Sequence, residues 1–340
     1  MERDAHARSP LRVAFAGDAH VHVPDYVEAC RSAGDVRIVG ACLVGGASPF
    51  AFPGDVPIVG APGDLPAHDL CVVTTDVASH ERVAAGLTAP AVYVEKPLGT
   101  DASAARRVAA LLRRDGRAVH LGFFLRRERA LATLGARLRA RRIGRLRRAD
   151  LVYEHDGLRR GWLADWPAHL DAERMGHGAF GDLAGHLIDL CHETVGPLRP
   201  VRCGLRRAPG AAADSGGEAL LRAAGGATVR LRCGADAPGV RLELLFAGDA
   251  GTLRLRDGTL TETIAGHART LARDVRPTPA SGFLAALAAL RGSAGVRRGA
   301  SLDEAIAVNR ALDALRAVAS VRPARRVPRR PRAHGPNGSV

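Results

Sequence analysis

Short apolar runs alternate with segments of helical periodicity over the first 124 residues. Runs rich in β-branched residues predict strands at residues 11–16, 36–44, 70–75, 91–95 and 118–123. Amphipathic segments at residues 24–33, 77–86 and 102–114 predict helices between them, the first opened by Pro24. This order predicts an α/β Rossmann domain whose parallel sheet binds ligands at the carboxyl ends of its strands.

The pattern changes after residue 124. Four strands are predicted in succession at residues 227–233, 240–246, 251–255 and 259–264, separated by glycine and aspartate turns, which favours an antiparallel meander. Helices are predicted at residues 282–291 and 302–319. We therefore expect a Rossmann domain at 1–124, an α+β substrate and oligomerisation domain with a large, mostly antiparallel sheet at 125–320, and a disordered basic tail at 321–340.

Length and cysteine usage agree with two intracellular domains. A chain of 340 residues exceeds the size that one hydrophobic core usually reaches. The six cysteines form no CxxC pair, which speaks against zinc ribbons and disulfide frameworks. The apolar runs are too short to cross a membrane and no signal peptide is evident, so we expect a cytoplasmic protein.

The net charge of +14 is unevenly spread. Residues 321–340 hold six arginines, four prolines and no acid, a composition typical of disorder. One interpretation of this tail is weak electrostatic binding to nucleic acid or another polyanion. We favour a solvated terminus and expect no nucleic-acid partner.

Lys96 is the only lysine among 49 basic residues, and the others are all arginine. Arginine replaces lysine as a surface charge, but it cannot lose its proton or act as a compact donor in a tight site. This chemistry makes Lys96 a candidate functional residue, unless one lysine persists by accident.

The turn after the first predicted strand only partly matches the dinucleotide fingerprint GxGxxG. Gly17 can make the tight turn, but Ala19 and His22 stand where the fingerprint has its other glycines. His20 and His22 are equally well interpreted as phosphate donors or as surface histidines. The second strand ends without a carboxylate or a nearby arginine, so the choice between NAD and NADP stays open.

Glu95, Lys96 and Pro97 follow an apolar strand, and Thr74, Thr75, Asp76 and His80 follow the strand before it. Together these segments resemble the Gfo/Idh/MocA family of glucose-fructose oxidoreductases and inositol dehydrogenases. The resemblance implies that Glu95, Lys96 and Pro97 close the nicotinamide end of an NAD or NADP site, with Lys96 beside the reacting carbon and Pro97 in a cis bond. It also assigns Thr74, Thr75 and His80 to the cofactor.

Residues 178–189 are similar to the family segment GGxxxDxGxHxxD. On a helix, Asp182, His186 and Asp189 share one face, and a histidine one turn from a carboxylate is suited to proton transfer. The resemblance implies that His186 exchanges a proton with the substrate hydroxyl and that Asp182 assists. Ala184 departs from the family glycine.

Three further residues, Arg126, Trp162 and Asp189, are candidate substrate contacts. The alternative without a catalytic role is that the acids and histidine of residues 182–189 form a polar helix face and that Lys96 is a surface charge. Zinc ligation by His177, Asp182, His186 and His192 is disfavoured because His177 and His192 fall on other faces of the helix, so no metal is expected.

The sequence thus predicts an NAD(P)-dependent dehydrogenase or reductase that interconverts a secondary alcohol and a ketone on a sugar, amino sugar or cyclitol. The alternative is a catalytically silent nucleotide-binding sensor or scaffold of the same fold. We expect no membrane partner. A homodimer or homotetramer is expected if the outer face of the meander is apolar.

Overall fold

The computed structural model of the chain describes residues 9–323, except residues 45–49, 294 and 297. Its first sheet is parallel throughout, in the order β3-β2-β1-β4-β5-β6. The strands are β1 (Leu11–Ala16), β2 (Val36–Cys42), β3 (Ile58–Val59), β4 (Leu70–Val73), β5 (Ala91–Val94) and β6 (Ala118–Leu121). The predicted Rossmann domain is confirmed, and the strand order reverses between β1 and β4.

The second sheet of the described residues has nine strands in the order β14-β13-β12-β11-β7-β10-β9-β8-β15. The strands are β7 (Leu146–Glu154), β8 (Leu198–Arg207), β9 (Gly216–Ala223), β10 (Thr228–Gly234), β11 (Arg241–Gly248), β12 (Gly251–Arg256), β13 (Thr259–Ile264), β14 (His267–Ala272) and β15 (Ala319–Pro323). Most pairs are antiparallel, but β7 with β10 and β8 with β15 are parallel.

The predicted four-strand meander was wrong at its first step. β10 does not pair with β11, because β7 lies between them. The antiparallel meander consists instead of β11, β12, β13 and β14. The alternation of apolar and polar residues predicted these strands one by one. The insertion of β7 between β10 and β11 depends on pairing between segments nearly 100 residues apart, which that alternation does not indicate.

Helices cover the sheets. In the described residues they are α1 (Val23–Ser32), α2 (His80–Gly86), α3 (Ala102–Arg114), α4 (Arg129–Arg139), α5 (Gly157–Arg160), α6 (Ala172–Met175), α7 (Ala179–Thr194), α8 (Pro279–Leu290) and α9 (Leu302–Ala317). The helix α7 packs on the inner face of the second sheet and buries Leu183, Leu187 and Ile188. Burying one such side chain stabilises the fold by about 1.5–3 kcal/mol, which holds α7 firmly in place.

The helix α8 returns from the second half of the chain to the first sheet. Its Phe283 packs on Tyr26 of α1 and Tyr93 of β5, with ring centroids 4.9 and 5.1 Å apart. The boundary predicted at residue 124 therefore does not separate the helical layers, since residues near 283 complete the core of the Rossmann sheet.

The predicted basic tail begins inside a strand. Residues 321–323 belong to β15 at the edge of the second sheet, so the prediction of disorder from residue 321 was wrong for these three residues. Residues 324–340, for which disorder is also predicted, lie outside the described residues.

The outer face of the second sheet is charged. Asp150, Arg230 and Arg232 alternate with buried Leu151 and Leu231, and a groove of about 840 Å³ runs along this face. These residues lie on β7 and β10, so they do not test the outer face of the β11–β14 meander, which the prediction of a second subunit concerns. The homodimer or homotetramer stays a prediction.

All six cysteines are buried and free, in agreement with reduced thiols. No helix in the described part of the chain is long and apolar enough to span a membrane.

Candidate active site

The turns after β1, β4 and β5 meet where the strand order of the first sheet reverses. Open parallel sheets bind ligands at this point because the helices leave the two central strands in opposite directions and open a crevice. The three turns carry residues 17–22, 74–77 and 95–98. The segment 155–178 and the start of α7 face them from the second domain.

Lys96 forms an ion pair with Asp182 across the two domains. Lys96 is 2% exposed, and its Nζ donates to Oδ1 of Asp182 and to the Asp182 carbonyl oxygen, the latter at 3.1 Å. Burial raises the pKa of Asp182, but the attraction of Lys96 outweighs burial and holds that pKa well below its usual range. Lys96 is thus a buried, fixed cation and not a surface charge. The bond from Lys96 to Pro97 is cis, as the resemblance implies.

His186 lies one helical turn after Asp182 and is 2% exposed. Its ring packs against Phe124 and Tyr153, with centroids 4.5 and 5.9 Å away, and its Nδ1 is buried without a hydrogen-bond partner in the described residues. Burial, with a smaller contribution from Lys96, lowers its pKa well below the ordinary value. The imidazole is therefore neutral and able to accept a proton.

Glu95 is fully buried and accepts several hydrogen bonds. They come from the Tyr26 hydroxyl, from His22 Nδ1 at 3.0 Å and from the Lys96 backbone N–H at 3.0 Å. Burial raises its pKa, but His22 and Lys96 outweigh burial and lower the pKa below its usual value. Glu95 is ionised, and His22 reaches it from the position of the last fingerprint glycine.

The turn at residues 17–22 is tightly packed. Gly17 has φ +97°, and a Cβ there would collide with the side chain and backbone of Thr75. Ala19 is 2% exposed and packs against Ala168 and Met175 of the second domain. The backbone N–H of His20 donates to the Thr74 carbonyl at 3.0 Å, so this donor is already engaged.

The residues after β4 hold the turns together. Thr74 Oγ1 donates to the Gly17 carbonyl at 2.7 Å, and Thr75 Oγ1 donates to the Asp76 carbonyl at 2.8 Å. His80 Nδ1 lies 3.2 Å from the Leu98 carbonyl, while its Nε2 is buried and unpartnered in the described residues. His80 thus offers a free polar atom, whereas the two hydroxyls are used internally.

Two predicted substrate contacts bind each other instead. The guanidinium of Arg126 donates to Asp189 at 3.0 and 2.6 Å and to Glu304 at 2.8 Å, and both Arg126 and Asp189 are 1% exposed. The structure corrects the prediction that Asp189 contacts the substrate from the same helix face as Asp182 and His186. Its carboxylate belongs to a buried ion network that joins α7 to α9. Arg126 and Asp189 are therefore too buried to offer an accessible charge to a substrate.

Trp162 lies nearer the site. Its Nε1 donates to Asp156 Oδ1 at 3.2 Å, and its indole lies over the His155 ring at 5.1 Å. His155 and Tyr153, at the end of β7, interact electrostatically with Asp182, and sequence reasoning missed both. The sequence gives only a weak indication of these two residues, because only the pairing of β7 within the second sheet brings this strand end to α7.

The comparisons with known proteins agree with this geometry. Residues 131–254 match the model of the GFO/IDH/MocA C-terminal domain. The chain carries a GFO/IDH/MocA C-terminal domain. The resemblance drawn from residues 95–97 and 178–189 is confirmed. A comparison with curated proteins finds no match.

Solved structures of similar fold cover nearly the whole chain. KijD10, a 3-ketoreductase from Actinomadura kijaniata in complex with NADP and TDP-benzene, is 19% identical with a TM-score of 0.74, over 93% of this chain and 99% of that chain. A levoglucosan dehydrogenase in complex with NADH and levoglucosan is 17% identical with a TM-score of 0.73, over 91% and 97%. An oxidoreductase from Agrobacterium radiobacter in complex with NAD+, L-tartaric acid and magnesium is 15% identical with a TM-score of 0.71, over 90% and 95%. At these identities the likeness shows a shared fold.

Proposed function

We propose that the protein is an NAD(P)-dependent oxidoreductase that interconverts a secondary alcohol and a ketone on a sugar, amino sugar or cyclitol. The observation that carries the proposal is the buried Lys96–Asp182 pair, with the neutral His186 one turn away, at the switch point of a parallel sheet. Similar folds that bind NADP or NADH in KijD10 and in levoglucosan dehydrogenase support it.

The residues fit a nicotinamide dinucleotide, with one restriction. Gly17 makes the tight turn that a pyrophosphate needs, and the buried Nε2 of His80, without a partner in the described residues, would be a donor to the dinucleotide. The restriction is Ala19, whose methyl group packs against Ala168 and Met175. A dinucleotide reaches this turn only if residues 167–175 move away from it.

A bound nicotinamide would accept or supply the hydride at the substrate carbon. Lys96 is placed to donate a hydrogen bond from Nζ to the substrate oxygen, since its ammonium is held by Asp182 and has few other orientations. A fixed positive charge stabilises negative charge that develops on that oxygen.

His186 would move the proton. Because burial keeps its imidazole neutral, it can accept the hydroxyl proton during oxidation and return it during reduction. The rings of Phe124 and Tyr153 fix its orientation. Asp182, whose side chain is 22% exposed, is more accessible than Lys96 and His186.

Substrate hydroxyls would meet the end of β7 and the segment after it. Tyr153, His155 and Trp162 are half-buried there, and they offer a hydroxyl, imidazole nitrogens and a flat indole. Aromatic faces with nearby polar groups suit a sugar ring, whose carbon face is apolar and whose rim is polar.

One experiment tests the function. The purified protein is incubated with NAD or NADP and a panel of sugars, amino sugars and cyclitols, and the absorbance of the reduced cofactor is followed. Turnover with at least one polyol, lost in Lys96→Ala, is expected. Dinucleotide binding without turnover across the panel and in the reverse direction with the matching ketones would contradict catalysis.

The second candidate is a silent nucleotide-binding sensor or scaffold. The packing of Ala19 under Ala168 and Met175 favours it, because a covered turn slows cofactor exchange. The Lys96–Asp182 pair argues against a scaffold. Burying charges costs desolvation free energy, and a scaffold has no use for such a pair.

A further inference from the structure

Histidines gather at one place in this molecule. Of the 13 histidines in the chain, seven lie around Lys96, Glu95 and Asp182. They are His20, His22, His80, His155, His169, His177 and His186. An alcohol–ketone exchange needs one proton carrier, so most of these imidazoles have no part in the proposed reaction.

Three side chains of this group converge. One ring nitrogen of His20, one of His22 and one carboxylate oxygen of Glu95 all lie within 4.8 Å of one another. His22 Nδ1 is 3.0 Å from Glu95 Oε1, and His20 Nε2 is 3.7 Å from Glu95 Oε2. Ligands of a tetrahedral zinc ion, bound at about 2.0–2.2 Å, are spaced by roughly 3.3 Å. The side chains are therefore already near ligand spacing.

A buried polar atom is left without a partner here. His20 is 1% exposed, and its Nε2 has no hydrogen-bond partner in the described residues. The next ring, His169, lies 4.8 Å from His20 and is 8% exposed, and both of its nitrogens are likewise unpartnered. Buried polar groups are nearly always satisfied by protein, water or an ion, so these nitrogens point to a ligand.

The charges also favour a cation. Glu95 is fully buried, and the only ammonium near it, Lys96, is bonded to Asp182. The nearby Asp76 is neutralised by Arg174. The Glu95 carboxylate is thus bonded to histidine, tyrosine and backbone donors, while the Lys96 ammonium is bonded elsewhere. Buried charges in proteins are usually paired or bound to metals.

We propose that His20, His22 and Glu95 bind a divalent transition-metal ion of the zinc class. Two imidazoles and one carboxylate are a ligand set that zinc uses in sites that keep a fourth position open. His169 is the nearest protein group to complete the fourth position. The inference is independent of the dinucleotide, because none of the three ligands depends on a bound cofactor.

Binding requires a rearrangement of ring protons and a shift of the ligand side chains, from a spread of up to 4.8 Å to roughly 3.3 Å. The ion takes the place of the proton between His22 Nδ1 and Glu95 Oε1, and this proton moves to the other ring nitrogen of His22. On His20, the proton moves from Nε2 to Nδ1, which ends the long 3.3 Å contact from the His22 backbone N–H. The Tyr26 hydroxyl and the Lys96 backbone N–H stay on Glu95 and orient it as a ligand.

The test uses the full chain, freed of metal with a chelator and titrated with Co²⁺ in the absence of dinucleotide. One equivalent is expected to bind and to give the visible absorption of four-coordinate cobalt. His22→Ala and Glu95→Gln should each weaken binding more than 100-fold, and Tyr26→Phe by about 10-fold, as for a group that orients a ligand. His267→Ala, at an exposed histidine of β14, is the control and should bind as the wild type does.

Equal binding by all four variants would mean an adventitious ion only and would overturn the proposal. Should the variants fail to fold by circular dichroism, X-ray absorption of the zinc-loaded wild type decides. Two imidazoles with one oxygen ligand support the site, and a shell without imidazole contradicts it. Dinucleotide affinity is measured separately, so a failed metal site and a failed oxidoreductase give different results.

Discussion

Two strand ends of the same sheet differ sharply. After β5, residues 95–97 resemble the corresponding segment of Gfo/Idh/MocA oxidoreductases, and Lys96 forms an ion pair with Asp182 of α7. After β1, Gly17 is kept, but Ala19 and His22 replace the two small positions that bring backbone close to phosphate. The end that would handle the substrate is thus family-like, while the end that would hold the pyrophosphate is altered.

This difference indicates that the substrate end and the pyrophosphate end of such a site tolerate substitution unequally. In the proposed reaction Lys96 acts through one atom, Nζ, so a change of side chain there would alter the chemistry directly. The turn after β1 acts through backbone shape, and His22 has been accommodated by bonding to Glu95 and lying near Tyr26. The first three predictions below each perturb one of these two ends.

The largest effect is expected for Lys96→Arg. The planar guanidinium is larger and cannot act as a compact donor, so turnover should fall by about 10³-fold or more while the protein stays folded. The measurement is steady-state turnover with circular dichroism as the folding check. Arg107→Lys, on the exposed face of α3, is a matched control and should keep wild-type activity. A folded Lys96→Arg protein with normal turnover would remove Lys96 from the reaction.

Replacement of His186 should be the next largest effect. His186→Ala removes the proton acceptor, and such groups contribute ~10²–10⁴-fold to turnover. Dinucleotide affinity should change little, because the ring packs on Phe124 and Tyr153 and not on the turn after β1. Rapid-mixing kinetics and calorimetry separate the two. Loss of cofactor affinity with unchanged turnover would place His186 on the cofactor side.

A smaller effect is expected at the altered turn. Ala19→Gly removes the methyl group that packs against Ala168 and Met175, and it should raise dinucleotide affinity by roughly 3- to 10-fold, that is up to about 1.4 kcal/mol. Ala61→Gly, at an exposed position, is the control for backbone flexibility. Calorimetric titration with NADH and NADPH measures both. Weaker binding in Ala19→Gly than in the wild type would show that the methyl group supports the site.

The smallest effect concerns stability against pH. Burial lowers the pKa of His120, His177 and His192 to about 4. In the unfolded chain these groups take up protons below about pH 6.5, so their stabilising contribution is complete above that pH and is lost as the pH falls towards 4. The buried Asp189, with its pKa raised to about 6, opposes this loss, since its folded form binds the proton more tightly.

Three histidines outweigh one carboxyl group, so the free energy of unfolding should drop by about 1–3 kcal/mol from pH 7.5 to pH 5. Urea denaturation at the two pH values measures it. Equal or greater stability at pH 5 would mean that the histidines are more accessible to protons than their burial indicates.

Much of the first domain could be predicted from the sequence, because its signals are local. β1 and α3 begin and end where apolar periodicity and caps place them, and Asp101 caps α3 by accepting from Ser103 and Ala104. The second sheet could be predicted only in part. The strand β8 carries four arginines and a proline among its ten residues, and β15 lies in a segment whose arginines and prolines indicate disorder.

The lone lysine, helical spacing and the family resemblance singled out Lys96, Asp182 and His186, and the structure brings these three residues together. Arg126 and Asp189 were assigned to substrate because neither residue's position in the sequence indicates its partner. Only the fold shows that the two bind each other and Glu304.

The central claim is that a nicotinamide dinucleotide binds at the switch point despite the altered turn. Calorimetric titration of the wild-type protein with NAD, NADH, NADP and NADPH in turn tests it most directly. The account predicts saturable binding of at least one of the four with a stoichiometry of one per chain, and loss of heat when Gly17 is changed to valine in a protein that remains folded. Absence of heat with all four at millimolar concentration would contradict the account.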